Sequence, residues 1–201
     1  MPGTVFIVTA PSGTGKTTLL KKLLVGDPRL KFSISYTTRE PRPGEIPGRD
    51  YFFVSPEEFR RLREGGALVE WVEQFDYGYG TSRQWLEETL AAGHDVIFDI
   101  ETRGARALKR EFPQGTFIFI LPPSLEQLER RLQLRGDLGP AELHRRLEQG
   151  RAELAEVHWY DFVVVNDDLA GALDQLQAII KAGRCRTQLL WPQLKDRFRE
   201  P

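Results

Sequence analysis

The run Pro11-Ser12-Gly13-Thr14-Gly15-Lys16-Thr17-Thr18 has the composition that phosphate chemistry demands. Several phosphate oxygens can be met at once only if the backbone curls around them and turns its N–H groups inward. Glycine tolerates the angles of such a curl and lets phosphate approach the main chain. A helix starting at Lys16 adds the partial positive charge of its N-terminus. In this pattern Lys16 reaches the β- and γ-phosphates of a triphosphate, and the Thr17 hydroxyl ligates Mg2+. Ala10 stands where the strict pattern has glycine. That departure is mild provided the position needs no positive φ. Asp99 ends an apolar run, where a fold of this kind usually sets a second acidic group near Mg2+, directly or through water. The alternative for Asp99 is a helix N-cap.

Two arginine groups also fit phosphate. Arg39 and Arg42 stand three apart, and two guanidiniums can fork one phosphate. Tyr51 and Tyr79 can donate hydroxyls to it. A solvated loop with surface ion pairs is the alternative, and Tyr51 alone would serve equally as a strand residue packing on Phe53. Further on, Arg130, Arg131, Arg135, Arg145, Arg146 and Arg151 cluster around Gly136-Asp137-Leu138-Gly139-Pro140. Gly and Pro between two helical segments suggest a mobile lid. Phosphoryl transfer asks mainly for in-line positioning and charge neutralisation, and arginines brought by closure supply both. Here the alternative is helix-face charges paired with Glu126, Glu129, Glu142 and Glu148.

These residues need a scaffold, and the pattern of the chain describes one. Thr4–Thr9 is a short apolar, β-branched run, read as a buried strand. The spacing of Leu19, Leu20, Leu23 and Leu24 is helical and stops at Gly26-Asp27-Pro28. Asp95–Asp99, Thr116–Leu121 and Asp161–Asn166 are near-continuous apolar runs, as in strands covered on both faces. Helical patterns flank them at Ser82–Ala92, Glu101–Phe112, Ser124–Leu134, Ala141–Val157 and Leu169–Gly183. Such alternation predicts an α/β fold with a parallel sheet and helices on both faces. Residues 32–82 break the rhythm. Tyr51–Val54, Ala67–Trp71 and many Gly, Pro and Tyr residues predict a small, mostly β insert with one helix at Pro56–Glu64.

At 201 residues and 40% hydrophobic content the chain suits one domain with its own core. A net charge of -1 argues against a general nucleic-acid or membrane-surface binder. The single cysteine, Cys185, excludes an internal disulfide. No signal peptide or membrane-length apolar run is read, so a cytoplasmic protein is expected. The three histidines lack metal-ligand spacing.

Several segments together resemble the guanylate kinase family, over about Thr4–Gly183. They are Ala10–Thr17, Ser33-Ile34-Ser35-Tyr36-Thr37-Thr38-Arg39-Glu40-Pro41-Arg42-Pro43-Gly44-Glu45, Gly48–Phe53, Tyr79-Gly80-Thr81-Ser82, Leu121–Ser124 and Val165–Asp168. The resemblance implies a P-loop fold with a catalytic domain at 1–183. Its core would be 1–31, 83–129 and 152–183, its GMP-binding insert 32–82 and its lid 130–151; the tail at 184–201, outside the resemblance, reads from its Arg, Leu, Trp and Phe residues as a helix or a partner contact. It implies transfer of the ATP γ-phosphate to GMP, and to dGMP, with Mg2+ as cofactor and no nucleic-acid or membrane partner. The oligomeric state stays open.

By the same resemblance, Ala10, Pro11, Ser12, Gly13, Thr14, Gly15, Lys16, Thr17 and Thr18 bind ATP, and Asn166 borders the adenine. Arg39, Arg42, Tyr51 and Tyr79 hold the GMP phosphate. Glu70 reads guanine, helped by Ser35 and Thr81, and Gly80 belongs to the same GMP-binding set. Guanine sets N1–H beside an N2 amino group, and one carboxylate accepts both. Adenine, lacking N1–H, leaves a buried acceptor unpaired at a cost of roughly 1–3 kcal/mol. An outward-facing strand residue is the other reading of Glu70. Asp99 and Glu101 lie on the GMP side; Glu101 stands where Asp is frequent, and Arg103 where Gln is usual. Lys16, Arg39, Arg131, Arg135 and Arg146 are the expected catalytic set. The competing functions are a kinase of another phosphorylated acceptor and a non-catalytic binding module of the same fold.

Overall fold

The computed structural model describes residues 2–74, 76–134 and 139–198. In chain order its elements are β1 (Val5–Thr9), α1 (Lys16–Gly26), β2 (Leu30–Phe32), β3 (Ser35–Thr37), β4 (Tyr51–Phe53), α2 (Pro56–Glu64), β5 (Leu68–Gln74) and β6 (Tyr77–Ser82). They continue with α3 (Arg83–Ala91), β7 (Asp95–Asp99), α4 (Thr102–Glu111), β8 (Thr116–Leu121), α5 (Leu125–Gln133), α6 (Pro140–Ala155), β9 (Phe162–Val165), α7 (Leu169–Arg184) and α8 (Thr187–Leu194).

Strands β2, β7, β1, β8 and β9 pair in that order into a parallel sheet. Alternation along β1 splits the core in two. Phe6 and Val8 pack with Leu19, Leu20 and Leu23 of α1 and with Leu176 and Ile180 of α7. Val5 and Ile7 pack with Leu86 of α3 and with Ala105 and Leu108 of α4. Every residue of β1 is therefore buried, which is why its sequence is apolar without a gap. The fold is α/β, with helices on both faces of the sheet, as the sequence implies.

The second sheet runs β4-β3-β6-β5. Its β3–β4 pair is parallel; β3–β6 and β6–β5 are antiparallel. Only β4 and β5 stand out in the sequence. Ser35-Tyr36-Thr37 and Tyr77-Gly78-Tyr79-Gly80-Thr81-Ser82 lack an apolar pattern and are strands through their partners. The register shifts by a bulge between Leu68 and Glu70, and Leu68, Val69 and Glu70 are buried in succession.

Other differences have local causes. β2 escapes a pattern reading because it is three residues with only Leu30 buried. It extends the parallel sheet to Phe32, paired with Ile97, so Phe32 is not part of the insert's sheet. Ser82 and Ser124, expected as first helical residues, are N-caps whose hydroxyls accept from Trp85 N and Gln127 N. After α7 the tail forms α8 and a 3₁₀ turn at Lys195–Phe198, with Trp191 stacked on Phe198. Gly136, Asp137 and Leu138 of the expected lid lie outside the described residues. Among the described residues no helix is long and apolar enough to cross a membrane.

One buried charge ties the far end of the sheet. Asp95, 1% exposed, accepts from Thr4 N at 2.9 Å and from Arg184 Nε at 2.7 Å. Arg184 also pairs with Asp27 at 2.7 Å. Removing Asp95 takes the acceptor from the buried Thr4 N and leaves Arg184 with Asp27 as its one remaining acid in this network. We expect Asp95→Ala to lower the unfolding free energy by about 3 kcal/mol. Urea denaturation measures this; a loss under about 1 kcal/mol would class the network with surface ion pairs.

Candidate active site

The glycine-rich loop joins the end of β1 to the start of α1. Gly13 and Gly15 adopt φ of 92° and 95°. A Cβ on Gly15 would stand 2.6 Å from Asn166 Nδ2, so space as well as backbone angle demands glycine there. Ala10 is not among the residues with positive φ, so a side chain costs nothing at that position. The loop is braced from outside. Thr14 Oγ1 donates to Pro11 O at 2.6 Å, and Asn166 Nδ2 donates to Thr14 O at 2.6 Å. Arg131 donates to Thr14 O at 3.3 Å and to Asn166 O at 3.0 Å. Asn166 is thus buried behind the loop, with its amide committed to it.

Ala10–Thr18, Asp99, Glu101, Gln149 and Glu153 line a cavity of about 300 Å3 over the N-terminus of α1. The parallel register sets Val8 opposite Asp99, which brings the ends of β1 and β7 together. Lys16 Nζ forms an ion pair with Asp99 Oδ1. The N-cap of α1 is Gly15, without a side-chain cap, and no acidic residue sits in its first turn. The site is therefore amide-rich and suited to anions. The Thr17 hydroxyl and the Asp99 carboxylate are oxygen donors in the same cavity, and such a set fits Mg2+, which takes one or two carboxylates beside phosphate oxygens.

A second cavity, of about 230 Å3, adjoins the first. Ser35, Tyr51, Glu70, Val72, Tyr79, Asp99, Ile100, Glu101 and Gly104 line it, so Asp99 and Glu101 border both cavities. Glu70 is 5% exposed. Its Oε1 accepts from Thr81 Oγ1 at 2.8 Å. Thr81 Oγ1 lies 3.2 Å from Ser33 Oγ; with its own hydrogen on Glu70, Thr81 must accept from Ser33. Burial raises the Glu70 carboxyl to about 7, against the Thr81 hydrogen bonds, which lower it. Gly104 lets α4 come close, since a Cβ there would stand 3.4 Å from Glu70 Oε2. Gly80 and Thr81 stand behind the cavity rather than in its wall. A larger groove of about 600 Å3 is lined by Phe59, Arg60, Arg63, Glu73 and Asp76 and lies apart from the glycine-rich loop; its Arg63 is paired with Glu73 at 3.0 Å.

Tyr51 and Tyr79 lead from this cavity to Arg39. The Arg39 guanidinium lies 5.4 Å from the Tyr51 ring centre and interacts with the Tyr79 hydroxyl. It is buried and ion-paired with Glu45 at 2.8 Å. Arg42 is exposed. The lid arginines combine both expectations. Arg146 pairs with Glu142 and also donates to Ser12 Oγ at 3.2 Å. Arg145 pairs with Glu142 and Arg151 with Glu148. Arg135 lies outside the described residues.

Sequence reasoning missed Ser33, Glu45, Gln149 and Glu153. Glu45 carried a signal, an acid three residues after Arg42 and six after Arg39. Glu153 carried only its turn-by-turn spacing from Arg146 on α6. Its carboxyl is raised to about 6, chiefly by burial.

The comparisons agree with this geometry. A family model described as guanylate kinase matches residues 3–183. A guanylate kinase of Aromatoleum aromaticum is 48% identical over 186 residues, covering 92% of this chain and 91% of its own. One of Geobacter sulfurreducens is 48% identical over 196 residues, covering 98% and 97%. The crystal structure of guanylate kinase from Anaplasma phagocytophilum superposes with a TM-score of 0.77 at 32% identity, covering 100% of this chain and 97% of that one.

The raised Glu70 carboxyl has a consequence for stability. Its folded value of about 7 lies above the ordinary 4.5, so the folded chain keeps a proton that the unfolded chain has lost. The resulting stability is complete below pH 4.5 and is lost as pH rises through 7, an amplitude of about 3 kcal/mol. Urea unfolding of wild type and Glu70→Gln at pH 4.5 and pH 8 isolates it. Wild type should lose about 3 kcal/mol relative to the variant; a constant difference would mean that Glu70 is not desolvated.

Proposed function

The chain belongs to the guanylate kinase family and is an ATP:GMP phosphotransferase, and we propose that its two adjoining cavities hold the two nucleotides. The observation that carries this assignment is the shared border at Asp99 and Glu101. Two substrates bound on either side of it meet without a covalent relay through the protein.

In this reading residues 10–18 hold the ATP phosphates with backbone amides and the α1 dipole, and Lys16 leaves Asp99 for the β- and γ-phosphates. Thr17 and Asp99 would hold Mg2+, which neutralises phosphate charge when bound. Asn166 supports ATP from behind, by fixing the loop. The insert carries the acceptor. Arg39, Arg42, Tyr51 and Tyr79 bind its phosphate. Glu70, set by Thr81 and flanked by Ser35, accepts the N1–H and N2–H of guanine. dGMP presents the same base edge and is accepted too. Arg131 and Arg146 already touch Thr14 and Ser12, and a short movement of α5 and α6 transfers their donors from the loop to the moving phosphoryl group. Excluding water in that step prevents hydrolysis of ATP. Arg135 belongs to the same set by family resemblance. Cytoplasmic localisation accords with substrates drawn from the nucleotide pool.

A coupled ADP-release assay with ATP, Mg2+ and each of GMP, dGMP, AMP, CMP and UMP tests the acceptor. Release should depend on GMP or dGMP, and Lys16→Ala should abolish it in a folded protein. Glu70→Gln should raise KM for GMP about tenfold or more and narrow the preference over AMP. Binding of ATP without transfer to any acceptor would replace the enzyme with a binding module. Unchanged GMP kinetics in Glu70→Gln would remove Glu70 as the base reader.

A further inference from the structure

We infer that Glu45 is a positioning residue for the acceptor phosphate: one carboxylate aligns Arg39 and fixes the turn that carries Arg42. The inference rests on the reading of these two arginines as phosphate contacts. Arg39 is 8% exposed, and its Nη2 donates to both Glu45 oxygens, at 2.8 and 3.0 Å. Its Nη1 donates to Glu40 O at 2.6 Å. The rings of Tyr51 and Phe53 lie against the same guanidinium, 5.4 and 5.9 Å from their centres. Glu45 Oε2 also accepts from Arg42 N at 2.7 Å, while Glu45 N donates to Arg42 O at 3.0 Å. These two bonds close a turn in which Gly44 takes φ 88°.

The arginines are consequently not equivalent. Arg39 is a neutralised, oriented donor, whereas exposed Arg42 brings net charge to the phosphate. A carboxylate bound to a phosphate-reading arginine can act in two ways. It can occupy the guanidinium and compete with phosphate, or it can hold the fork ready. The geometry favours the second. Of the five N–H groups of Arg39, Glu45 takes those of Nη2 and Glu40 O takes one of Nη1; Nε–H and the second Nη1 hydrogen lie outside these bonds, and the Tyr79 side chain interacts with the same guanidinium. Holding the side chain beforehand also removes rotamer entropy that binding would otherwise have to overcome.

Steady-state kinetics of Glu45→Gln separates the two. We expect KM for GMP to rise about tenfold, the loss of a charge-assisted hydrogen bond. KM for ATP and Tm should stay at wild-type values, and kcat at saturating GMP should change little. In an Arg39→Lys background, which lacks the fork, the Glu45→Gln effect should largely vanish. If Glu45→Gln destabilises the turn and lowers Tm, Glu45→Asp replaces it. Aspartate keeps the charge and can still cap Arg42 N, but falls short of Nη2, and it too should raise KM for GMP. An unchanged or lower KM for GMP overturns the inference and makes Glu45 a bystander or a competitor. If Arg39→Lys itself leaves KM for GMP unchanged, the phosphate role of Arg39 fails first, and the inference with it.

Discussion

An inward-facing set of backbone amides is the constraint on which the rest of the molecule depends. A loop that points its N–H groups at phosphate must turn some carbonyls the other way, and buried carbonyls need donors. The structure supplies them at Thr14 O, from Asn166 Nδ2 and Arg131. Asn166 comes from the end of β9 and Arg131 from α5. The loop is therefore held from the end of β9, and α5 adds a second donor to the same carbonyl. Gly15 gives way to Asn166 because that support needs the space a Cβ would fill. Most of the parallel sheet can be understood as a frame that brings a strand end, a helix start and two distant donors to one loop.

The frame also explains why the two cavities touch. β1 and β7 are parallel neighbours, so their C-terminal ends finish on the same side of the sheet, with Val8 across from Asp99. The phosphate loop leaves from one end and Asp99–Glu101 from the other. Ligand sites at the carboxyl ends of parallel strands follow from this topology. The four-stranded sheet then brings Glu70 and the tyrosines to that edge. Asp99, paired with Lys16, keeps a lysine and an acid together in a cavity built for anions.

Legibility in the sequence followed physical strength. The buried strands β1, β7 and β8 read clearly because both faces are covered and their runs are apolar throughout. Helix positions were legible to within a residue or two, and two of the errors arose from N-cap serines taken for helical residues. β2, β3 and β6 were silent because their strand character lies in pairing rather than in side chains. The glycine loop was legible from composition alone; the acceptor residues needed their joint spacing, since Arg39, Arg42 and Glu70 each had a plain surface alternative. Ser33 was unreadable beside Glu70, and Glu45 showed only an acid spaced from two arginines, without its partners. Their roles depend on which oxygen faces which donor across a register or a turn, and one-dimensional spacing does not contain that.

Glu70 and Arg39 show two opposite solutions to burying a charge. Arg39 meets its counter-charge within the protein, from Glu45, so its desolvation is offset before any ligand arrives. Glu70 is held by Thr81, through its hydroxyl and its backbone, and its carboxyl rises to about 7. A buried acid without a cation remains costly to ionise until donors reach it. In the proposed reading, guanine would bring two adjacent N–H donors and relieve that cost, and a base lacking them would not. In the same reading the phosphate end, organised in advance, would favour any nucleoside monophosphate. The base end is left unsatisfied, so the free energy of relieving it depends on the base. Discrimination consequently belongs to the group the protein leaves without a cation, and affinity to the group it has already paired.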